Sequence, residues 1–274
     1  MSPARLLAFL FALLALPGLA RAEERLVALG SDVTEILFAL GRGAQVVAVD
    51  DTSTFPPEAE KLPRLGYLRS LTPEPLLAQR PTLVLAGDGA GPEAVLRQVE
   101  RAGVRVLRVP GGHEAAAVSA KIRAIGKAVG AEAAADRLAG STAAALAAPQ
   151  PEGRSRPRML LILANAPGRV LAAGQNTAGD GFIRLAGGRN VFTAEGYKPL
   201  SAEAALAAAP DVILVPSHVA EMMGGIDAVR REPILARTPA ARAGRIIEVE
   251  SAPALNFGPR LPQAIASVRA RLKG

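Results

Sequence analysis

A short block of sequence occurs twice in this chain, 129 positions apart. Residues 72–86 read TPEPLLAQRPTLVLA and residues 201–215 read SAEAALAAAPDVILV, and the two copies align without a gap. Each copy predicts a hydroxyl N-cap (Thr72 or Ser201), a short helix, a proline that ends it and a buried strand. The repeat indicates two related lobes, and a cleft between lobes is a common ligand site. The identical pairs are Glu74/Glu203, Leu77/Leu206, Ala78/Ala207, Pro81/Pro210 and Leu85/Leu214.

The first 22 residues predict an export signal. Arg5 precedes an unbroken apolar run of 11 residues from Leu6 to Leu16, and Ala20-Arg21-Ala22 has the small-x-small pattern that signal peptidase cleaves. The run is too short to cross a bilayer, which takes about 20 residues; a buried N-terminal helix is the alternative. The absence of cysteine argues against disulfides and against a lipid-modified cysteine after the signal. The mature chain, from Glu23, is therefore expected to be periplasmic, freely soluble and not lipid-anchored.

The charge pattern does not indicate a nucleic-acid-binding protein. The whole sequence has a net charge of +7, and removal of Arg5 and Arg21 with the signal leaves a modest positive excess. The basic residues are scattered, and aromatic residues, which would stack on bases, make up only 3% of the chain. The excess is compatible with an anionic ligand or a nearby anionic membrane surface, without selecting either.

Short apolar runs alternate with helical patterns in residues 23–112, which are predicted to form the N-terminal lobe. This alternation favours strands that pair in parallel through crossover connections. The predicted elements are a strand at 25–29, a helix that Ser31 caps and that runs to Leu40, a strand at 45–49, the first repeat copy, a helix at 91–102 and a strand at 105–109.

Residues 113–150 predict one long linking helix, because they are rich in alanine and contain no proline before Pro149. Gly130 is the place where a single break is allowed. A stiff helical bridge of this kind permits only a small hinge motion.

Residues 151–274 repeat the α/β pattern as the C-terminal lobe, with a strand at 159–163, a helix near 180–185, the second repeat copy, a turn at 222–225, a strand at 245–249 and a last helix at 262–272.

Few residues can carry chemistry, since the chain has two histidines, two tyrosines and neither cysteine nor tryptophan. His113 and His218 lie in unrelated contexts without a carboxylate pattern of metal-ligand spacing, so no metal site of their own is predicted. No glycine-rich segment has the spacing of a nucleotide loop. Ser217 precedes His218 directly, which leaves an exported hydrolase as an alternative of another class.

The two tyrosines occupy equivalent places in the two lobes. Tyr67 and Tyr197 each follow a glycine, and each lies on the segment that enters a repeated helix. Loops at the strand ends of open α/β sheets are where ligands bind, so both rings are candidates for the cleft. The alternative is that each ring covers the edge of its lobe with its hydroxyl in water.

Several motifs together resemble the periplasmic haem-binding proteins of bacterial haem ABC importers, over essentially the whole mature chain. The Gly-Tyr-x-Arg block separates haem binders from related siderophore and cobalamin-binding proteins. The resemblance implies an α/β fold of two Rossmann-like lobes joined by a single long helix, with a ligand cleft between the lobes. The motifs are Gly30–Ile36 (GSDVTEI), Asp50–Ser53 (DDTS), Leu65–Leu71 (LGYLRSL), Gly87–Pro92 (GDGAGP), Gly174–Ala178 (GQNTA) and Phe257–Arg260 (FGPR).

The resemblance implies that haem b is the transported ligand and that Tyr67 ligates its ferric iron. Phenolate is a hard oxygen donor that suits Fe(III), and tyrosine is an established haem ligand. Arg69 lies two residues on, and in an extended segment residues i and i+2 point the same way. Arg69 is therefore expected to stabilise the phenolate or to pair with a haem propionate; a solvated surface charge is the alternative.

The resemblance assigns the rest of the cleft less directly. His218 stands where relatives often have a basic residue, so it is expected to support a propionate or the tyrosine ligand, with an ordinary surface histidine as the alternative. Some relatives use a histidine where this chain has Asn165, which argues against that ligand for a second haem. Asn165, Tyr197 and Met222 are expected to line the cleft, and Tyr197 in a structural role rather than on the iron.

Glu74 and Glu203 fall at the second position of their helices, where a carboxylate stabilises the positive end of the helix dipole. Helix stability alone would explain them. In the importer superfamily, however, one glutamate on each lobe docks onto arginines of a dimeric permease, and these two match that pattern. Such paired charges would steer and orient docking.

The sequence thus predicts a monomeric periplasmic substrate-binding protein that captures haem and delivers it to an inner-membrane ABC permease dimer. It is expected to bind no nucleic acid and to catalyse no reaction. A siderophore or cobalamin-binding protein of the same fold is the first alternative, and the exported hydrolase is the second.

Overall fold

The computed structural model describes residues 24–147, 156–166 and 168–272. The predicted signal peptide and the residues on both sides of the predicted 150/151 boundary lie outside these ranges. No helix in the described ranges is long and apolar enough to cross a membrane.

The first lobe is a four-stranded parallel sheet in the order β2-β1-β3-β4. Both central strands are completely buried, as expected of parallel strands covered on both faces. The helices that connect the strands lie where the sequence predicts them, within one or two residues. The elements are β1 (Leu26–Leu29), α1 (Ser31–Ala39), β2 (Val46–Val49), α2 (Pro73–Ala78), β3 (Leu83–Ala86), α3 (Glu93–Arg101) and β4 (Arg105–Arg108), with short 3-10 turns at Gly43–Gln45 and Pro57–Lys61.

Two of the predicted hydroxyl caps are absent. Helix α1 begins after Gly30, whose φ of 117° places it in a region that favours glycine, and Ser31 is the first helical residue. Thr72 occupies the N-cap position of α2 but makes no side-chain capping bond. Pro73 at the first helical position presets the backbone there.

The connection between the lobes is helical, as the sequence predicted, but it takes the single break that the sequence allowed and so consists of two helices. Helix α4 (Ala115–Ala128) and helix α5 (Glu132–Leu146) are separated at Gly130, whose φ is +60°. They pack antiparallel, since Arg123 pairs with Asp136 at 2.9 Å and a Cβ added to Gly126 would overlap the Cβ of Ala135.

The second lobe has a mixed six-stranded sheet in which β10-β9-β5-β6-β8 is the main order and β7 pairs with β5. β6 and β8 run antiparallel, an arrangement that the sequence analysis did not predict. The elements are β5 (Arg158–Ala166), β6 (Arg169–Ala173), α6 (Ala178–Ala186), β7 (Arg189–Asn190), β8 (Tyr197–Pro199), α7 (Ala202–Ala208), β9 (Val212–Pro216), α8 (Ser217–Met222), α9 (Ile226–Arg231), α10 (Pro239–Arg242), β10 (Ile246–Val249), α11 (Ser251–Asn256) and α12 (Leu261–Arg271).

A continuous apolar core joins the lobes. Leu26 of β1, Ile122 of α4 and Leu161 of β5 belong to one cluster, together with Phe182 of α6 and Phe257 after α11. Each lobe also has a smaller core of its own on the other face of its sheet. The two lobes therefore share buried surface.

Buried polar contacts connect α1 of the first lobe to the linking helix and to the end of α11. Asp32 forms a buried salt bridge with Lys121 of α4, and Lys121 also donates a 2.7 Å hydrogen bond to the carbonyl of Asn256. Glu35 pairs with Arg260 at 2.6 Å. We call these five residues the interlobe clasp.

Candidate functional site

Tyr67 lies on a turn of the first lobe between β2 and α2. Leu65 and Leu68 on either side are buried, and Leu68 accepts a 2.8 Å backbone hydrogen bond from Gly91. Tyr67 itself is 48% exposed. The buried leucines thus fix a turn whose tyrosine side chain remains free to meet a ligand.

Arg69 is exposed on the same turn, but the backbone is not the extended segment that the sequence analysis assumed. The N–H of Ser70 donates to the carbonyl of Tyr67 at 2.9 Å, which closes a tight turn. Within such a turn the alternation of side chains along a strand does not apply. The guanidinium of Arg69 instead packs against Gly89 in the loop after β3, where an added Cβ would overlap it.

Tyr197 lies across from Arg69, in the second lobe. Its hydroxyl lies beside the backbone N–H of Gly179 and the side chain of Thr177, at the N-terminus of α6. Burial raises the pKa of Tyr197, while these polar neighbours and the positive charge of Arg69 act in the opposite direction. The ring of Tyr197 is partly buried against the core, with its phenol beside the start of this helix.

His218 lies on the first turn of α8, directly after strand β9. Its Nδ1 is 2.7 Å from Oγ of Ser251, which follows β10. Burial lowers the pKa of His218, and Glu221 only partly opposes this effect. At neutral pH the imidazole is therefore largely neutral, so it can make a hydrogen bond but has little charge with which to pair a propionate. Met222 lies one turn further along α8 and is 41% exposed.

The structure does not form the direct serine–histidine pair of the hydrolase alternative. Ser217 Oγ is 3.0 Å from Ser251 Oγ, and it is Ser251 that contacts His218. In the described part of the chain, no carboxylate makes a hydrogen bond to His218. The constellation thus lacks the group that orients the base in a catalytic triad.

Glu74 and Glu203 are the second residues of α2 and α7, as predicted. Glu74 is exposed, and Glu203 extends over the first turn of its helix, where Ser201 caps the N–H of Ala204 at 3.1 Å. A hydrogen bond from the backbone N–H of Glu203 lowers the pKa of that carboxyl, with a further contribution from Ser201. Both carboxylates are available at the surface.

The side chain of Asn165, which the sequence analysis placed in the cleft, lies outside the described part of the structure. A separate recess of about 270 Å³ lies on the second lobe beside α6. Tyr67, Arg69 and His218 do not line it, so this recess is not the predicted cleft. The recess is lined by Arg156, Gln175, Asp180, Arg184, Gly188, Arg189, Asn190, Phe192 and Thr193.

His113 forms a contact between the lobes that was not predicted from the sequence. Its ring packs edge-on against Phe257 with 5.6 Å between centroids. Burial lowers the pKa of His113, and Asp88 of the first lobe and Asp180 of the second act in the opposite direction. Its place directly after Pro110-Gly-Gly112, where the first lobe ends, is the signal that could have pointed to this role.

Within the described ranges, no group of three or more histidine, aspartate or glutamate side chains is arranged to hold a metal ion.

A model of the periplasmic binding protein family matches residues 26–253. The chain belongs to this family. Among solved structures of such binding proteins, it is similar to the apo periplasmic heme-binding protein RhuT from Roseiflexus sp. RS-1, with 38% identity, a TM-score of 0.85 and coverage of 90% of this chain and 97% of that one. It is equally similar to the periplasmic heme-binding protein BhuT in complex with two hemes, with 38% identity, a TM-score of 0.84 and coverage of 91% and 97%.

Curated relatives of this periplasmic binding protein include two other kinds. A vitamin B12-binding protein of Yersinia pseudotuberculosis is 34% identical over 105 residues, which is 38% of this chain and only 37% of that relative. An ABC transporter substrate-binding lipoprotein of Bacillus subtilis, YvrC, is 26% identical over 250 residues, covering 88% of this chain and 77% of that relative.

Proposed function

We propose that this periplasmic binding protein captures haem b and delivers it to an inner-membrane ABC permease, without catalysing a reaction. The exposure of Tyr67 beside Arg69, on a turn held by buried leucines, carries the proposal. A phenolate is a suitable ligand for ferric iron. The similarity to heme-binding proteins over about nine-tenths of the chain supports this cargo.

Each residue of the site has a distinct proposed role. Tyr67 ligates the iron, and Arg69 pairs with the phenolate or with a propionate. His218, held by Ser251, donates or accepts one hydrogen bond as a neutral imidazole. Met222 covers the porphyrin face, Asn165 lines the predicted cleft, and Tyr197 supports the cleft from beside the N-terminus of α6.

The same proposal includes export and transfer. Residues 1–22 act as a signal peptide, and the mature protein works in the periplasm as a monomer. Glu74 and Glu203 dock onto arginines of the permease dimer. The substrate-binding relative from an ABC transporter supports a membrane permease as the partner.

A cobalamin-binding role is the second candidate, because the vitamin B12-binding relative matches part of the chain. Hemin and cobalamin titrations separate the two cargoes. We expect a shifted Soret band with saturable hemin binding, and no saturable binding of cyanocobalamin.

The direct test is the Tyr67→Phe variant, with Tyr197→Phe as the matched control. Removing the oxygen of Tyr67 takes away the proposed iron ligand, so hemin affinity should fall at least about tenfold, or roughly 1.4 kcal/mol. The charge-transfer bands of the ferric complex should change with it. Tyr197→Phe should keep the wild-type spectrum. A wild-type spectrum in Tyr67→Phe would remove Tyr67 as ligand.

A further inference from the structure

The positive excess of the mature chain belongs to the second lobe. Residues 151–274 carry 16 lysines and arginines against 10 aspartates and glutamates, whereas residues 23–112 carry 10 against 12. A lobe with such an excess attracts anions. Haem does not account for this distribution, because Arg69, the cation proposed to pair with it, belongs to the first lobe.

Three arginines of the second lobe, Arg156, Arg184 and Arg189, line the recess of about 270 Å³ beside α6. Arg156 lies just before β5 and Arg189 begins β7, and these two strands pair in parallel with Arg158 opposite Arg189. The N–H of Arg189 donates a 2.9 Å hydrogen bond to the carbonyl of Pro157. Strand pairing therefore brings Arg156 and Arg189, which are 33 positions apart in the sequence, to one recess.

Among the described residues, Asp180 is the single acidic side chain that lines the recess, and its charge is already compensated. Its Oδ1 accepts a 3.0 Å hydrogen bond from Nδ2 of Asn190, and its Oδ2 lies 3.4 Å from Nε of Arg184. Within the described ranges, the guanidinium groups of Arg156 and Arg189 have neither an ion pair nor a hydrogen bond. The recess therefore has two positive charges without a counterion.

The wall of the recess is held in place by hydrogen bonds of the protein itself. Nδ2 of Asn190 also donates to the carbonyl of Ala173 at 2.9 Å, and its Oδ1 accepts from the backbone N–H of Phe192 at 3.1 Å. On the facing side, the N–H of Gln175 donates to the carbonyl of Ala194 at 2.8 Å. A ligand that enters the recess therefore has to order only the arginine side chains, which keeps the entropic cost of binding low.

We propose that this recess binds a small oxyanion, whose carboxylate or phosphate group is held by Arg156 and Arg189. A guanidinium has paired N–H donors in a plane, and these match two oxygens of such a group. Three guanidinium groups around one recess repel one another, and a bound anion relieves this repulsion. The site goes beyond the proposed function, because it is separate from the residues that are proposed to hold haem.

Isothermal titration calorimetry at low ionic strength tests the site, with inorganic phosphate and citrate as separate ligands. We expect saturable one-to-one binding of at least one of them, and the tighter ligand shows whether the site prefers phosphate or polycarboxylates. Arg156→Gln/Arg189→Gln should bind that ligand at least about tenfold more weakly, because charge-assisted hydrogen bonds are lost. The matched control, Arg231→Gln/Arg242→Gln, removes the same charge from exposed positions of this lobe outside the recess and should bind as wild type does.

Three results would overturn the inference. Neither anion binds saturably to the folded wild-type protein, or both double variants weaken binding equally, which would mean that net charge alone attracts the anion. In the third, hemin loading abolishes anion binding, which would make the recess part of the haem site.

Two further measurements keep the outcomes distinct. Thermal unfolding identifies folded variants, and Arg189→Gln alone, with an expected loss of at least about threefold in affinity, replaces the double variant if that one unfolds. The recess variants should bind hemin as the wild type does. Failure of the wild type to bind hemin would contradict the proposed function and leave the anion site standing.

Discussion

At the scale of single residues, the two tyrosines show how environment divides roles between identical side chains. Both follow a glycine shortly before a repeated helix, so position alone made each ring a candidate for the cleft, and only the family resemblance assigned the iron to Tyr67. The structure leaves Tyr67 exposed and packs Tyr197 against the core beside the start of α6. This difference depends on the surroundings of Tyr197, among them Gly179 and Thr177, which no pattern around Tyr197 reveals.

Replacement of Tyr197 should therefore affect stability rather than binding. Tyr197→Phe removes a partly buried hydroxyl that lies beside the N–H of Gly179 and Thr177, which should lower the free energy of unfolding by about 1 kcal/mol. Urea unfolding of the ligand-free protein measures the change. A loss of hemin binding with wild-type stability would contradict this assignment. Tyr67→Phe should leave the unfolding curve unchanged, because its hydroxyl is free to contact water.

At the scale of elements, glycines decide how the linking segment folds. Composition predicted helix throughout, and this is correct for α4 and α5. Propensity could not tell one long helix from a hairpin, because the outcome depends on whether the two halves can approach each other. Gly126 permits that approach, since it leaves room for Ala135, and Gly130 provides the turn.

Two alanine substitutions in these helices should have opposite effects on the stability of the protein. Gly126→Ala forces its new Cβ against Ala135 and should cost about 1–3 kcal/mol, as overpacking does. Gly140 has open space around it, so Gly140→Ala should stabilise the protein by up to about 1 kcal/mol through helix propensity. Thermal unfolding of both variants compares them directly. An equal rise in the unfolding temperature of both variants would show that the two helices do not pack as described.

At the scale of the whole molecule, the lobes were predictable and their junction was not. The repeat predicted two α/β units because equivalent residues recur at a fixed spacing. The clasp joins Asp32 to Lys121, 89 positions away, and Glu35 to Arg260, 225 positions away. No local pattern marks such a contact, and the antiparallel β6 and β8 escaped prediction because short strands leave little periodicity.

The clasp should make Arg260 more important for stability than Glu35. Burial raises the pKa of the Glu35 carboxyl, and Arg260 opposes the rise. Arg260→Ala leaves this carboxylate buried without its cation, which should cost about 3 kcal/mol at neutral pH. Glu35→Gln should cost less than about 1 kcal/mol, because no charge is buried and Arg260 keeps Glu250.

The sign of the pH dependence follows from the same carboxyl. In Arg260→Ala the folded state binds the proton of Glu35 more tightly than the unfolded state does. The variant's deficit relative to wild type should therefore shrink as pH falls from about 8 towards 5 and grow as pH rises. Chemical unfolding of both proteins across this range checks the trend. In Arg260→Ala/Glu35→Gln the deficit should lose its pH dependence.

The turn that carries both Tyr67 and Arg69 has a consequence for the order of events during capture. Because Tyr67 and Arg69 both belong to the first lobe, that lobe alone supplies the proposed iron ligand and the guanidinium proposed to pair with the haem. Contacts from the second lobe, such as the one proposed for His218, then add affinity without forming the first bond to the metal. During release the order reverses, and the metal keeps its oxygen ligand until the last moment.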